Sequence, residues 1–122
     1  MQVIALVGNK GGAGKTTLAI NLASAFNEVA PTVLFDADPQ GSSLQWSNIA
    51  GDSCVLEVFD GSTRLADQIG SSTDFSYCVV DCPPSVHSKQ TQDALRISDL
   101  AIIPVQPSPL DLWGSVHIEA EV

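Results

Sequence analysis

The chain is predicted to fold as an α/β domain, a mostly parallel β-sheet with helices on both faces. Short apolar runs rich in β-branched residues alternate with segments of helical period, which is the pattern of parallel strands joined by helical crossovers. The first of these runs, Val3 to Val7, feeds straight into a glycine-rich loop and a helix start. Two later runs end on an acid, Asp36 and Asp81. Parallel sheets gather their ligands at the carboxyl ends of their strands, and both acids fall at such ends.

The elements follow in order. Val3 to Val7 is a buried-type strand. Leu18, Leu22, Phe26 and Val29 recur at helical spacing and Pro31 closes the segment, so Gly14 to Ala30 reads as an amphipathic helix whose inner face packs on the sheet. Thr32 to Phe35 is a short strand ending at Asp36. Ser43 to Ala50 forms a helix before the Gly51-Asp52 turn, and Cys54 to Phe59 a third strand, from the alternation of Val55, Leu56 and Val58 with polar neighbours. Asp60-Gly61-Ser62 is a turn, Thr63 to Ile69 a short helix, and Gly70 to Asp74 a polar loop. Phe75 to Val80 runs apolar into Asp81, Val86 to Ile97 is a helix, and Leu100 to Val105 another buried strand. Ser108-Pro109-Leu110-Asp111 then opens a last helix with a capping serine and proline at its first position. No repeat, low-complexity tract or linker divides the chain, so residues 1–122 are expected to form one domain.

Composition narrows the functions available. The sequence has 122 residues, 44% of them apolar, and no apolar run long enough for a membrane span or a secretory signal, which points to the cytoplasm. Cys54, Cys78 and Cys82 have no disulfide-framework or CxxC spacing, in keeping with a reducing compartment. On a strand, Cys78 and Cys82 would lie roughly 13 Å apart, too far to share one metal ion, so they are read as packed thiols. The net charge is −9 with five basic residues, two of them in the glycine loop. Arg64, Lys89 and Arg96 remain, and Asp93 and Asp99 lie near the last two. Non-specific DNA binding needs several cations facing phosphates, so this chain alone is poorly equipped for it.

Gly8 to Thr16 reads G-N-K-G-G-A-G-K-T and satisfies the phosphate-loop pattern G-x-x-x-x-G-K-[ST]. Glycines let backbone N–H groups turn inward around a phosphate chain. Lys15 reaches the β- and γ-phosphates, and the Thr16 hydroxyl can hold Mg²⁺. Asp81, delivered by its strand to the same sheet edge, fits a Walker B acid that holds Mg²⁺ with part of its water shell. Asp36 and Asp38, two residues apart, would face one solvent pocket if their strand continues. Asp38 before Pro39 also suits a helix cap. No Asn/Thr-Lys-x-Asp loop for guanine follows the phosphate loop, which favours ATP.

Lys10, Gly11, Gly12, Gly14, Lys15, Thr16 and Thr17 stand in register with the deviant Walker A signature, and the chain resembles the ParA/MinD family of P-loop ATPases. Asp36-Ala37-Asp38-Pro39-Gln40 and Asp81-Cys82-Pro83-Pro84 match two further family motifs, and the stretch from Ala101 to Trp113 resembles the small partition ATPases in particular. The resemblance implies ATP and Mg²⁺ as cofactors. It assigns nucleotide contacts to Lys10, Gly11, Gly12, Ala13, Gly14, Lys15, Thr16 and Thr17, and metal contacts to Thr16, Asp36 and Asp81. It makes Lys10, Lys15, Asp38 and Asp81 the catalytic set: Lys10 reaching the other subunit's nucleotide across an ATP-dependent homodimer, Asp38 positioning the attacking water. Asn21 matches a family position near the nucleotide, and an exposed or capping asparagine suits it equally.

Family members of the partition type work with DNA and a ParB-like centromere-binding partner. The membrane-cycling branch relies on a terminal basic amphipathic helix, whereas residues 117–122 here carry two acids and no Lys or Arg, so no membrane binding is expected. Family members also continue through further strands and helices, so this chain corresponds to the first half to two-thirds of one. Two functions follow: an ATP-hydrolysing partition protein, or a shortened nucleotide-binding regulatory module with little or no turnover.

Overall fold

The computed structural model describes residues 1–8 and 13–104, with Ala13 described by its backbone alone. Five strands, β1 (Gln2–Leu6), β2 (Thr32–Asp36), β3 (Glu57–Asp60), β4 (Tyr77–Asp81) and β5 (Leu100–Ile102), form one sheet in the order β3-β2-β4-β1-β5, every pairing parallel. Between them lie α1 (Ala13–Val29), α2 (Ser42–Ala50), α3 (Leu65–Gly70) and α4 (Lys89–Ile97), with a short 3₁₀ turn, Gly51–Ser53, after α2.

Side chains alternate across the strands into two cores, which is why the central strands read as continuous apolar runs. On one face Val3, Ala5, Val33, Phe35, Cys78 and Val80 pack with Leu65 and Ile69 of α3 and Ala94 of α4. On the other Ile4, Leu6, Leu34 and Val79 meet Ala19 and Ala23 of α1, with Trp46 of α2 alongside. The crossovers through α1 and α2 carry the chain toward β3, and those through α3 and α4 carry it back toward β5. Opposite travel on opposite faces is what a single crossover handedness requires. It leaves β1 and β4 at the point where the direction changes, the position at whose carboxyl ends open parallel sheets take their ligands.

Several local expectations are corrected. Helix α1 does not bury the Leu18, Leu22, Phe26, Val29 stripe. Ala19 and Ala23 are fully buried, whereas Leu18 is 38% and Val29 80% exposed. Small residues let the helix axis approach the sheet, and the larger Leu22 and Phe26 pack at the flank, Phe26 stacking on Tyr77 at 4.7 Å. Pairing of β3 begins at Glu57 rather than Cys54, because its partner β2 offers Val33 as the first residue on that side. Residues 51–54 instead close a turn, with the Cys54 N–H donating to the Gly51 carbonyl at 3.0 Å.

The third and fourth corrections concern helix starts. Helix α3 starts at Leu65, since Arg64 before it takes a left-handed backbone, φ 52°. Helix α4 starts at Lys89 rather than Val86, because the Ser88 hydroxyl accepts the Thr91 N–H and sets the boundary. Strand β5 stops at Ile102, with Ile103 and Pro104 outside it, short of the expected end at Val105; Val105 itself and the helix from Ser108 fall outside the described residues.

Gly61 shows how closely β3 and α3 meet. A Cβ there would stand 2.9 Å from Leu65 Cδ1 and 3.0 Å from Phe35 Cβ. Its N–H donates to the Asp36 carbonyl at 2.8 Å, so the backbone cannot shift freely to make room. Gly61→Ala is therefore expected to destabilise the chain by about 1–3 kcal/mol in urea unfolding. Gly70→Ala, whose Cβ meets nothing within 4 Å, is expected to be neutral or to stabilise by about 0.5 kcal/mol. Equal losses at the two positions would contradict this account.

Candidate functional site

Register places the acids. Leu6 of β1 pairs with Asp81 of β4, which pairs with Asp36 of β2, so three strands end at one level. The backbone stitches this edge beyond the strands: the Ala37 N–H donates to the Asp81 carbonyl and the Cys82 N–H to the Leu6 carbonyl, at 3.0 and 3.1 Å. The loop between β1 and α1 leaves from here, and the first turn of α1 returns to it.

Asp81 is the hub. The Nζ of Lys15, a residue 8% exposed, lies 2.9 Å from Asp81 Oδ1 and also donates to the Cys82 carbonyl. Oδ2 accepts from the Thr16 hydroxyl at 3.1 Å and from the Ser43 hydroxyl at 2.9 Å. Three residues from two separated segments thus meet on one carboxylate with 1% exposure. A charge so buried persists only when paired and fully hydrogen-bonded.

Asp36, fully buried, accepts N–H groups from Asp38 on Oδ1 at 3.2 Å and from Leu44 on Oδ2 at 3.0 Å. Burial raises its pKa above the ordinary carboxylate value; the Leu44 N–H opposes the rise and the neighbouring Asp81 adds to it. Strand β2 ends at Asp36, so the two acids of Asp36-Ala37-Asp38 do not share one solvent pocket as expected. Asp38 is half-buried on the loop beyond, and its Oδ1 accepts the Gln40 N–H at 3.0 Å. Nor does Asp38 cap α2, which starts after a left-handed Gly41 without any side-chain cap.

Lys15, Thr16, Asp36 and Asp81 are thus brought together, with Asp38 on the adjoining loop. Gly14 and Thr17 are exposed at the start of α1. Lys10, Gly11 and Gly12 lie outside the described residues, and of Ala13 only the backbone is described. Asn21 is exposed on α1. Ser43 is a site residue that sequence reasoning does not single out. The signal it carries is a serine pair, Ser42-Ser43, soon after the acid pair at a helix start, but helix starts commonly carry serine for other reasons.

Among the described residues no group of three or more His, Cys, Asp or Glu is arranged for a metal ion. What the edge offers is hard oxygen: two carboxylates and two hydroxyls, a set that suits Mg²⁺ sharing its shell with phosphate and water. The cysteines are free, and burial pushes the Cys78 and Cys82 thiols up to about 12, inert as nucleophiles at neutral pH. Of the basic residues outside the loop, Arg64 pairs with Asp67 and Arg96 with Asp93. None of the described helices is long and apolar enough to cross a membrane.

A parallel sheet, a glycine loop between its first strand and first helix, and a buried acid on the adjacent strand define an α/β domain of the P-loop nucleotide-binding class. The chain belongs to the CobQ/CobB/MinD/ParA nucleotide-binding domain family, whose sequence profile matches residues 4–103. It is 35% identical over 112 residues to the maintenance of carboxysome distribution protein A of Gloeobacter kilaueensis, covering 91% of this chain and 52% of that protein. It is 33% identical over 121 residues to protein ParA of Rhizobium radiobacter, covering 91% and 51%. In fold it is similar to a plasmid partition protein of Borrelia burgdorferi crystallised with AMPPNP, with a TM-score of 0.77, 20% identity, and coverage of 98% of this chain and 68% of that one. The chain spans about half the length of the curated relatives it matches.

Removing one partner of the buried pair exposes its weight. Asp81→Asn is expected to lower stability by roughly 3–5 kcal/mol without added nucleotide, because Lys15 is left as an unpaired buried cation. Adding Lys15→Met should recover part of that loss. A double mutant no more stable than Asp81→Asn, in the same denaturation assay, would show that the pair is not the source.

Proposed function

We propose that the chain is the single nucleotide-binding domain of a ParA-type, ATP-hydrolysing positioning protein, a switch that dimerises on Mg-ATP and separates on hydrolysis. The observation that carries this reading is the meeting of Lys15, Thr16 and Asp81 at the mouth of the strand–loop–helix unit. Lys15 and the loop glycines bind the β- and γ-phosphates, with Lys10 of the partner subunit reaching the same phosphates across the dimer. Thr16 and Asp81 hold Mg²⁺, with Asp36 supporting its water shell. When bound, the ion neutralises charge on the β- and γ-oxygens. Asp38 orients the attacking water, and its place on a loop just beyond β2 suits that role. The AMPPNP bound to the Borrelia protein supports ATP as the nucleotide. The reading places the protein in the cytoplasm, in keeping with its free cysteines.

Cargo and partner follow the relatives. The resemblance to partition ATPases favours DNA segregation with a ParB-like centromere-binding protein, and the likeness to the carboxysome distribution protein favours a non-DNA cargo carried by the same switch. Lys15 is buried and Arg64 and Arg96 are paired with acids, so these cations offer little to a broad DNA contact. A nucleotide-binding regulatory module with little or no ATP turnover is the competing reading.

Light scattering tests the switch. A molar mass that doubles with Mg-ATP but not with Mg-ADP, and does not double for Lys15→Ala, is the expected result; ATP binding without mass change or turnover would favour the regulatory module. Asp38→Ala is expected to bind ATP and still dimerise while hydrolysis slows by roughly 100-fold or more. Loss of Mg-ATP binding in that variant would remove Asp38 from the water-positioning role.

A further inference from the structure

We propose that Ser43 is a positioning residue for the metal-holding carboxylate of Asp81, an inference that rests on the ATPase reading above. Three donors reach Asp81: Lys15 on Oδ1, and Thr16 and Ser43 on Oδ2. In that reading Lys15 turns to the phosphates and Thr16 to Mg²⁺, so both have a second task during the cycle. Ser43 has none. Its hydroxyl is fully buried, 2.9 Å from Oδ2, and comes from a helix otherwise on the β2 side of the site.

The ordinary reason for a serine in a first helical turn does not apply here. Helix α2 follows a left-handed Gly41 with no side-chain cap, and Ser43 spends its hydroxyl across the sheet edge on Asp81. The next residue, Leu44, gives its N–H to Asp36 Oδ2 at 3.0 Å. Two consecutive residues therefore address the two strand-end carboxylates in turn, Asp81 by a hydroxyl and Asp36 by a backbone amide. The segment between Asp36 and Ser43 contains Asp38. Tying its far end to Asp81 fixes the loop that bears the water-orienting acid relative to the acid that holds the metal. A carboxylate oxygen with one permanent donor also keeps one lone-pair direction occupied, which leaves the other free for a metal or its water.

The test reads divalent-cation dependence instead of turnover. The rise in melting temperature caused by ATP is titrated with Mg²⁺ in the wild-type chain, Ser43→Ala and Ser43→Cys, with circular dichroism to confirm folding. Ser43→Ala is expected to need about 10-fold more Mg²⁺ for half its effect, the consequence of losing one hydrogen bond to a charged group. Binding of ATP without divalent cation should stay within about 2-fold of wild type, since a single remote hydroxyl makes no phosphate contact. Ser43→Cys, close in shape and a weak donor, should fall between the two. A folded Ser43→Ala with the wild-type Mg²⁺ requirement overturns the proposal and leaves the ATPase reading standing. Should the alanine variant fail to fold, Ser43→Cys decides: a wild-type requirement overturns the proposal and a raised one supports it. A wild-type chain whose melting shows no response to Mg-ATP overturns the ATPase reading, and the role of Ser43 with it.

Discussion

The contact between Lys15 and Asp81 is the constraint around which the site is arranged. An ammonium and a carboxylate buried together cost several kcal/mol each in lost hydration, and their attraction offsets this only with good geometry and further hydrogen bonds. The fold supplies both. Asp81 has 1% exposure and receives two hydroxyls besides the amine, and Lys15 has the Cys82 carbonyl as a second acceptor. Those extra donors come from α1 and α2, so the helices that cover one face of the sheet are also the helices that solvate its buried charge. Packing and polar satisfaction are the same arrangement seen from two sides.

That arrangement depends on register more than on any single contact. Asp36 and Asp81 meet because β2 and β4 pair in parallel with both chains ending at one level. A slip of one residue would point Asp81 to the other face and bring Val80 or Cys82 into its place, since successive side chains alternate. The alternation is pinned from both sides, by Val79 with Leu34 in one core and Val80 with Phe35 in the other. Apolar burial thus holds the acids where their own mutual repulsion would not, and the pKa of Asp36 is raised first by that burial and further by the neighbouring Asp81.

Much of this is legible in the amino-acid sequence. The strand–glycine loop–helix unit and the acids closing β2 and β4 identify themselves by local pattern, whereas the strand order β3-β2-β4-β1-β5 is seen only in the fold. What is not legible comes from distance. The alanine face of α1 is hidden because leucines dominate a hydrophobicity pattern, yet a helix lying close on a sheet buries its smallest residues deepest. The start of β3 depends on where its partner strand begins, and that of α4 on a serine cap two residues past the first apolar position. Ser43 escapes a local pattern because its partner is 38 residues away and its own neighbourhood resembles any helix start. Asp38 would share a pocket with Asp36 only if β2 continued past Asp36, and it does not.

The electrostatics of the edge bear on how an acidic chain receives an acidic ligand. The sequence carries a net charge of −9, and where the phosphates are expected the described side chains contribute one cation, Lys15, against two carboxylates. Lys15 already satisfies Asp81, so a bare triphosphate entering the site would compete with a carboxylate for that amine and confront a second carboxylate behind it. On the proposed function Asp81 would hold a divalent cation, whose charge would offset the two carboxylates and leave the Lys15 amine to a phosphate. Helix α1 adds its amino-terminal end to the same side, where backbone N–H groups favour negative charge. On the proposed function, nucleotide and cation are therefore coupled through the exchange of partners at Asp81. Lys15 donates to Oδ1 and Ser43 to Oδ2, so the serine hydroxyl can stay on Asp81 when the lysine turns to a phosphate.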